Sequence, residues 1–165
     1  MSEISVRMGE LATSSDPGTV LVSIGLGSCI GLALVDAGAR IAGLAHIMLP
    51  GPGEAAGRPP ATFADSGVAA LLDRVVELGA RRARLTAAIV GGAQMFSSTG
   101  ELQVGARNEE AVRVALRDAH LPIAAAETGG SVGRTIRVYL DVARVTSRVA
   151  GGSETVLLSG LAATA

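Results

Sequence analysis

The sequence predicts a mixed α/β (α+β) domain of 165 residues. Two stretches carry apolar residues at helical spacing, and short runs of branched and small apolar residues typical of strands lie around them. No internal repeat and no long linker divides the chain, so we expect one domain over residues 1–165, with a core over about 5–155 and a small apolar tail. Aromatic residues make up only 2% of the chain, so Val, Leu, Ile and Ala have to build that core.

The first strand-type run covers residues 19–24, and two more, residues 30–35 and 40–46, flank the turn residues 36–39. This pattern is typical of a β-hairpin. Residues 50–62 are rich in Gly, Pro and Ala, which predicts a loop after the hairpin. Because it follows His46 directly, the loop is either a lid over a site or an ordinary connection.

Two helices are predicted, over residues 66–78 and residues 108–120. Asp65 or Ser66 can cap the start of the first helix, and Asn108 can cap the second. The remaining strand-type runs are residues 85–90, 122–127, 134–140 and 144–149, of which the last two read as a second hairpin.

Composition excludes several function classes. Acidic and basic residues nearly cancel to a net charge of −1, and all fourteen basic residues are arginines. The missing lysine excludes Walker-A phosphate binding, and scattered arginines without stacking aromatics argue against nucleic-acid binding. One cysteine and two histidines are too few for an ordinary structural zinc site. With no signal peptide, no membrane-spanning stretch and no possible internal disulfide, we expect a cytoplasmic protein with no membrane insertion.

The only cysteine, Cys29, and His46 are the candidates for thiol nucleophilic catalysis, because imidazole can take the thiol proton and return it to a leaving group. If the hairpin turns through two residues, so that Asp36 faces Ala39, then Cys29 faces His46 across the two strands. A longer turn would shift this register. The alternative is that Cys29 is a small buried apolar residue and His46 a core or edge residue.

Small residues before the cysteine favour the catalytic interpretation. Gly27, Ser28 and Cys29 can expose backbone N–H groups, which would form an oxyanion hole beside the sulfur. Ser23, in the preceding strand, either orients the imidazole through its hydroxyl or bonds the nearest backbone. Farther along the chain, Arg134 either contacts an acidic partner or is a solvated strand residue.

Four motifs follow one another along the chain: Gly25-Leu26-Gly27-Ser28-Cys29, Ala45-His46-Ile47-Met48-Leu49-Pro50, Gly91-Gly92-Ala93-Gln94-Met95-Phe96 and Gly105-Ala106-Arg107-Asn108. In this order and at these separations they resemble the motifs of the CheD family of bacterial chemoreceptor glutamine deamidases. The resemblance implies a cysteine-dependent amidohydrolase acting on glutamine side chains of methyl-accepting chemotaxis receptors, without metal or organic cofactor. It also implies a layered fold in which helices cover mixed β-sheets, similar to cytotoxic necrotizing factor-type deamidases.

The same resemblance assigns roles to individual residues. The family's catalytic cysteine and histidine fall on Cys29 and His46, and its third residue, commonly threonine, falls on Ser23. The resemblance also suggests that Gly91, Gly92 and Gln94 line the substrate cleft, although a tight turn at the two glycines is the alternative. The implied partners are the receptors and the CheC phosphatase. The alternative function is a non-catalytic adaptor that binds CheC or receptors.

Overall fold

The computed structural model describes residues 1–53, 56–95 and 103–160, which contain two mixed five-stranded sheets and two α-helices. In the first sheet the strands lie in the order β1 (Ser2–Ser5), β3 (Thr19–Leu26), β8 (Arg134–Tyr139), β9 (Arg144–Val149) and β10 (Glu154–Ser159). In the second sheet the order is β2 (Leu11–Ser14), β5 (Ile41–Ile47), β4 (Ile30–Asp36), β6 (Thr86–Gly91) and β7 (Ile123–Thr128). The helices are α1 (Ala64–Glu77) and α2 (Val104–Asp118), with a short 3-10 helix at Arg82–Arg84.

The second sheet is the middle layer of three. Side chains of β4 alternate between two cores: Leu32 and Leu34 face the helices, whereas Ala33 and Val35 face the first sheet. Both faces of β4 are buried, which explains why its sequence is an uninterrupted apolar run rather than an alternating one. The mixed α+β prediction is confirmed, and the helices pack on the second sheet through β2, β4 and β5. Neither helix in the described part of the chain is long and apolar enough to cross a membrane.

The seven predicted strands are present, and their ends lie within two residues of the predicted ones. The loop predicted over residues 50–62 contains no helix or strand in its described residues, and residues 54 and 55 lie outside them. The sequence patterns missed three strands, β1, β2 and β10, which are four to six residues long and lie at sheet edges. Every residue of β1 is exposed, so that strand has no buried face to leave an apolar alternation in the sequence.

The predicted helix starts were wrong. Helix α1 begins after Phe63, which makes no side-chain capping bond, so neither Asp65 nor Ser66 is its cap. Helix α2 begins at Val104, four residues before the predicted start, and Asn108 is fully buried inside it. Asn108 is therefore not a capping residue, and its amide is available for contacts with other elements.

The predicted hairpin register was also wrong. Asp36 pairs with Ile41, so the turn contains four residues, 37–40, instead of two. The cause is the buried carboxylate of Asp36, which accepts hydrogen bonds from the backbone N–H of Ala39 within the turn and of Arg81, 45 positions away. An ion pair with Arg84 adds to these bonds, and together the three partners hold the pKa of Asp36 below its usual value despite burial.

Candidate active site

Cys29 and His46 line one cavity of about 400 Å³ where the two sheets meet. The remaining lining residues are small or apolar apart from Ser28 and Gln94. They are Met8, Gly25, Gly27, Ser28, Ala93, Gln94, Met95, Val104 and Gly105. No described residue of the loop over residues 50–62 is among them, so nothing in the described structure supports the lid interpretation of that loop.

Cys29 lies where the chain crosses from the first sheet to the second. Strand β3 belongs to the first sheet and β4 to the second, and residues 27–29 connect them. Near its end β3 bulges between Ser23 and Leu26, with Gly25 at a φ of +72°, a conformation that favours glycine. Cys29 follows this bulge and is half-buried against the core between the sheets.

The four-residue turn shifts the predicted pairing by two positions, so Gly31, and not Cys29, lies opposite His46. A shift of two residues preserves the face of the strand on which each side chain lies. Cys29, one residue before β4, packs on the core between the sheets, and the alternation along β5 that places Ala42 and Leu44 in this core places His46 on the same face. The prediction of directly opposed residues was wrong, whereas both side chains do lie on one face.

One hydrogen bond fixes the proton arrangement of the His46 ring. Its Nδ1 lies 3.1 Å from the backbone carbonyl oxygen of Val6, which can only accept, so Nδ1 carries a hydrogen and donates. In the neutral ring Nε2 then holds the free lone pair. Nε2 is buried and has no hydrogen-bond partner among the described residues. Nε2 is thus the ring nitrogen that can accept a proton, and no other described group engages it.

Ser23 is connected to His46 through the same carbonyl group. Its fully buried hydroxyl donates to the Val6 oxygen at 2.8 Å, while the amide of Val6 bonds the carbonyl of Val22 in β3. The hydroxyl and the imidazole therefore converge on one acceptor. Sequence reasoning did not identify Val6, because a backbone carbonyl group leaves no signature in the residue type that carries it.

Burial favours the neutral form of both candidate catalytic groups. It is the main cause that lowers the pKa of His46 below the ordinary value of 6.5, although the Val6 hydrogen bond and the nearby Glu10 carboxylate oppose it. Burial also raises the pKa of the Cys29 thiol above the ordinary value of 9.0. Both shifts favour the uncharged forms, a thiol at Cys29 and a neutral imidazole at His46.

The glycine pair of the third motif lies against the backbone carbonyl group of Cys29. Gly91 and Gly92 both have positive φ, and a Cβ at Gly91 would overlap the carbonyl oxygen of Cys29. The amide of Gly92 donates to that same oxygen at 2.9 Å. Of the three residues expected in the substrate cleft, only Gln94 lines the cavity. Gly91 is the last residue of β6, and both glycines have the positive φ that the alternative interpretation, a tight turn, requires.

The sequence suggested that Arg134 is a solvated strand residue, but in the structure its side chain is largely buried. It is about 9% exposed, and its guanidinium donates to the carbonyl oxygen of Gly129 at 2.7 Å and, more weakly, to that of Gly91. An ion pair of 3.9 Å with Glu127 adds a third contact. Arg134 therefore joins the backbone at Gly129 to that at Gly91. Gly91 directly precedes Gly92, whose amide bonds the carbonyl oxygen of Cys29.

Comparisons with known proteins agree with the motifs. The sequence model of the CheD family, described as CheD chemotactic sensory transduction, matches residues 48–154. A probable chemoreceptor glutamine deamidase CheD of Symbiobacterium thermophilum is 42% identical over 155 residues, covering 91% of this chain and 94% of that protein. The chain belongs to the CheD family.

Other members of the family are similarly close to this CheD-family chain. The chemoreceptor glutamine deamidase CheD of Thermotoga maritima is 38% identical over 149 residues, covering 90% of this chain and 93% of that protein. A probable one of Desulfitobacterium hafniense is 44% identical over 142 residues, covering 84% and 87%. Among solved structures, the hypothetical protein YfiH of Bacillus licheniformis gives a TM-score of 0.45 at 15% identity, covering 74% of this chain and 50% of that one.

Proposed function

We propose that this chain is a protein-glutamine glutaminase that converts glutamine side chains of chemoreceptors to glutamate, with Cys29 as nucleophile and His46 as acid and base. The names of the family relatives support the reaction and its substrate. The observation that carries the mechanism is the hydrogen bond from His46 Nδ1 to the Val6 carbonyl, because it leaves Nε2 uncommitted on a side chain that lines the same cavity as Cys29.

Acylation begins from the neutral pair. Nε2 of His46 takes the proton of the Cys29 thiol, and the sulfur attacks the carboxamide carbon of the glutamine. The carbonyl oxygen becomes an oxyanion, and we assign its binding to the backbone N–H groups of residues 27–29. The C–N bond then breaks as His46 returns its proton to the departing nitrogen. Ammonia leaves, and a glutamyl thioester remains on Cys29.

Deacylation uses His46 again, now as the base that activates a water molecule. His46 takes a proton from a water molecule, the resulting hydroxide attacks the thioester carbon, and the C–S bond breaks. His46 then returns the proton to the sulfur. The products are glutamate and the free thiol, so one water molecule is consumed and one ammonia released in each turnover.

The rim of the cavity fits a protein substrate. Met8 and Met95 line the cavity and are exposed by 60% and 46% of their surface. Flexible thioether side chains adapt to irregular apolar surfaces, as a receptor segment around a glutamine would present.

The proposal has three further parts. It includes a cytoplasmic location and CheC as a second partner. It also includes a likeness in fold to cytotoxic necrotizing factor-type deamidases, and superposition of such a structure on Cys29 and His46 would test that likeness.

The direct test of the proposed function is intact-mass analysis of purified receptor cytoplasmic fragments incubated with the protein. Each conversion replaces NH2 by OH and raises the mass of the fragment by the difference between the masses of these two groups. Fragmentation in the mass spectrometer then locates the modified glutamine. We expect stepwise mass increases with release of ammonia. A fragment whose glutamines are replaced by glutamate is the matched control. Unchanged masses across the set of receptors would contradict the proposal and favour the non-catalytic adaptor.

Ser23 gives a prediction that separates positioning from binding. Ser23→Ala removes one hydrogen bond to the Val6 carbonyl and leaves the imidazole less firmly held. Since such a bond contributes on the order of 1 kcal/mol, we expect kcat to fall roughly five- to tenfold with KM little changed. Ser23→Thr should keep activity because it retains the hydroxyl and matches the residue common in the family. Unchanged kcat in Ser23→Ala would remove Ser23 from the mechanism and leave Val6 as the only orienting group.

A further inference from the structure

The side chain of Asn108 bonds both segments that carry the candidate catalytic residues. Its Nδ2 donates to the carbonyl oxygen of Ser28 and to that of Met48, each at 2.9 Å. Ser28 directly precedes Cys29, and Met48 follows His46 by two positions. Asn108 is completely buried, and in helix α2 it comes from a part of the chain distant from both segments.

We propose that Asn108 is a positioning residue that aims the backbone N–H of Cys29 at the oxyanion of the reacting glutamine. This inference rests on the proposed function and deepens it. The argument begins with the peptide plane between Ser28 and Cys29. Because a trans peptide is planar, its C=O and N–H point in opposite directions, and fixing one fixes the other. Asn108 holds the C=O, so the N–H points away from helix α2.

The neighbouring peptide is held in the same way. The amide of Ala93 donates to the carbonyl of Gly27 at 2.9 Å, which fixes the N–H of Ser28. Within the described part of the chain, the N–H groups of Ser28 and Cys29 bond no backbone acceptor. Both residues line the cavity. Two fixed donors that have no backbone acceptor in the described ranges are what an oxyanion hole requires.

The second bond of Asn108 fixes the orientation of its amide. Both neighbouring groups are carbonyl oxygens, which accept only, so Nδ2 and not Oδ1 has to face them. Both of its hydrogens are then used, while Oδ1 is buried without a partner among the described residues. An amide with both donors engaged cannot rotate without losing two buried hydrogen bonds, so the Ser28 carbonyl is held rigidly.

The position of helix α2 makes this reach possible. Gly105 and Asn108 are three residues apart and therefore lie on the same face of the helix. A Cβ at Gly105 would overlap the backbone carbonyl oxygens of Gly92 and Ala93. The glycine thus lets the helix approach this backbone closely, and the approach brings Asn108 to the segment before Cys29. This explains on physical grounds why the fourth motif contains both residues.

The test compares two reactions of the same thiol. Deamidation forms an oxyanion, whereas alkylation of Cys29 by iodoacetamide does not, and Cys29 is the only cysteine. For Asn108→Ala we expect kcat for a receptor fragment to fall roughly 10²-fold, as on losing one oxyanion-hole donor, with KM and the alkylation rate within about threefold of the unmodified protein. Asn108→Asp, which keeps the shape but replaces the amide donors, should show the same separation.

Leu116→Ala is the matched control, because Leu116 is fully buried on the same helix and two turns farther along. It should lower the melting temperature and leave kcat within about threefold. Unchanged kcat in Asn108→Ala, a parallel loss of alkylation, an equal kcat loss in Leu116→Ala, or failure of both Asn108 variants to fold would each overturn the proposal. Cys29→Ala, assayed in parallel, tells the two proposals apart. Deamidation by Cys29→Ala would refute the proposed function itself. Loss of deamidation in Cys29→Ala together with an unchanged kcat in Asn108→Ala would refute only the role of Asn108.

Discussion

Cys29→Ala is expected to abolish glutamine deamidation while the protein remains folded. Cys29 is the only thiol, it lines the cavity that His46 also lines, and its side chain is only half-buried, so alanine leaves no large void in the core. Without the sulfur no thioester can form, and the remaining hydroxyl groups have no comparable nucleophilicity. The measurement is the intact mass of a receptor fragment after incubation with each variant, alongside the melting temperature.

Cys29→Ser provides the matched comparison, since it keeps a group of similar shape that is a much weaker nucleophile. We expect it to be close to inactive and as stable as the unmodified protein. Wild-type turnover by purified Cys29→Ala would show that another group performs the chemistry. In that case the deamidase proposal for this site would have to be abandoned.

His46→Asn is expected to lower kcat by about 10²–10⁴-fold, the range that a positioned acid–base group contributes. The asparagine amide can still donate to the Val6 carbonyl, which His46 Nδ1 bonds at 3.1 Å, but it has no counterpart of Nε2. The substitution thus removes the base and keeps the orienting bond. The control is His120→Asn, which changes the only other histidine, an exposed residue with a φ of 58° that asparagine tolerates. A loss of less than threefold in His46→Asn would contradict the assigned role.

The pH dependence of the unmodified enzyme is a companion measurement. Because burial lowers the pKa of His46, the neutral base persists to more acidic pH than in an ordinary histidine, and kcat/KM should fall only below pH 6.5. The fold disfavours the protonated ring, whereas the unfolded chain accepts the proton near its ordinary pKa. The free energy of unfolding contributed by His46 is therefore complete above pH 6.5 and declines as the pH falls below it. An acid limb above pH 6.5 would contradict the neutral resting pair.

Local sequence patterns determined most of the secondary structure. Strands β4 and β6 are long, apolar and rich in branched residues, and α1 carries an apolar stripe, so each was predictable without its neighbours. The residue types that can do thiol chemistry were equally plain, because the chain has one cysteine and two histidines. Patterns of this kind depend on local periodicity or on rare side-chain chemistry, both of which can be read in the residues themselves.

Tertiary structure alone decided how those residues meet. The hairpin register depends on Asp36 bonding the amide of Arg81, which lies 45 positions away and gives no signal in the turn sequence. The group that orients His46 is the backbone carbonyl of Val6, which every residue type possesses. Asn108 has the residue type of a helix cap, yet its amide joins Ser28 to Met48 because the backbone approach at Gly105 places it there. The sequence therefore determined which chemical groups are present, while long-range hydrogen bonds and close backbone packing decided their geometry, because such contacts join groups that local periodicity cannot relate.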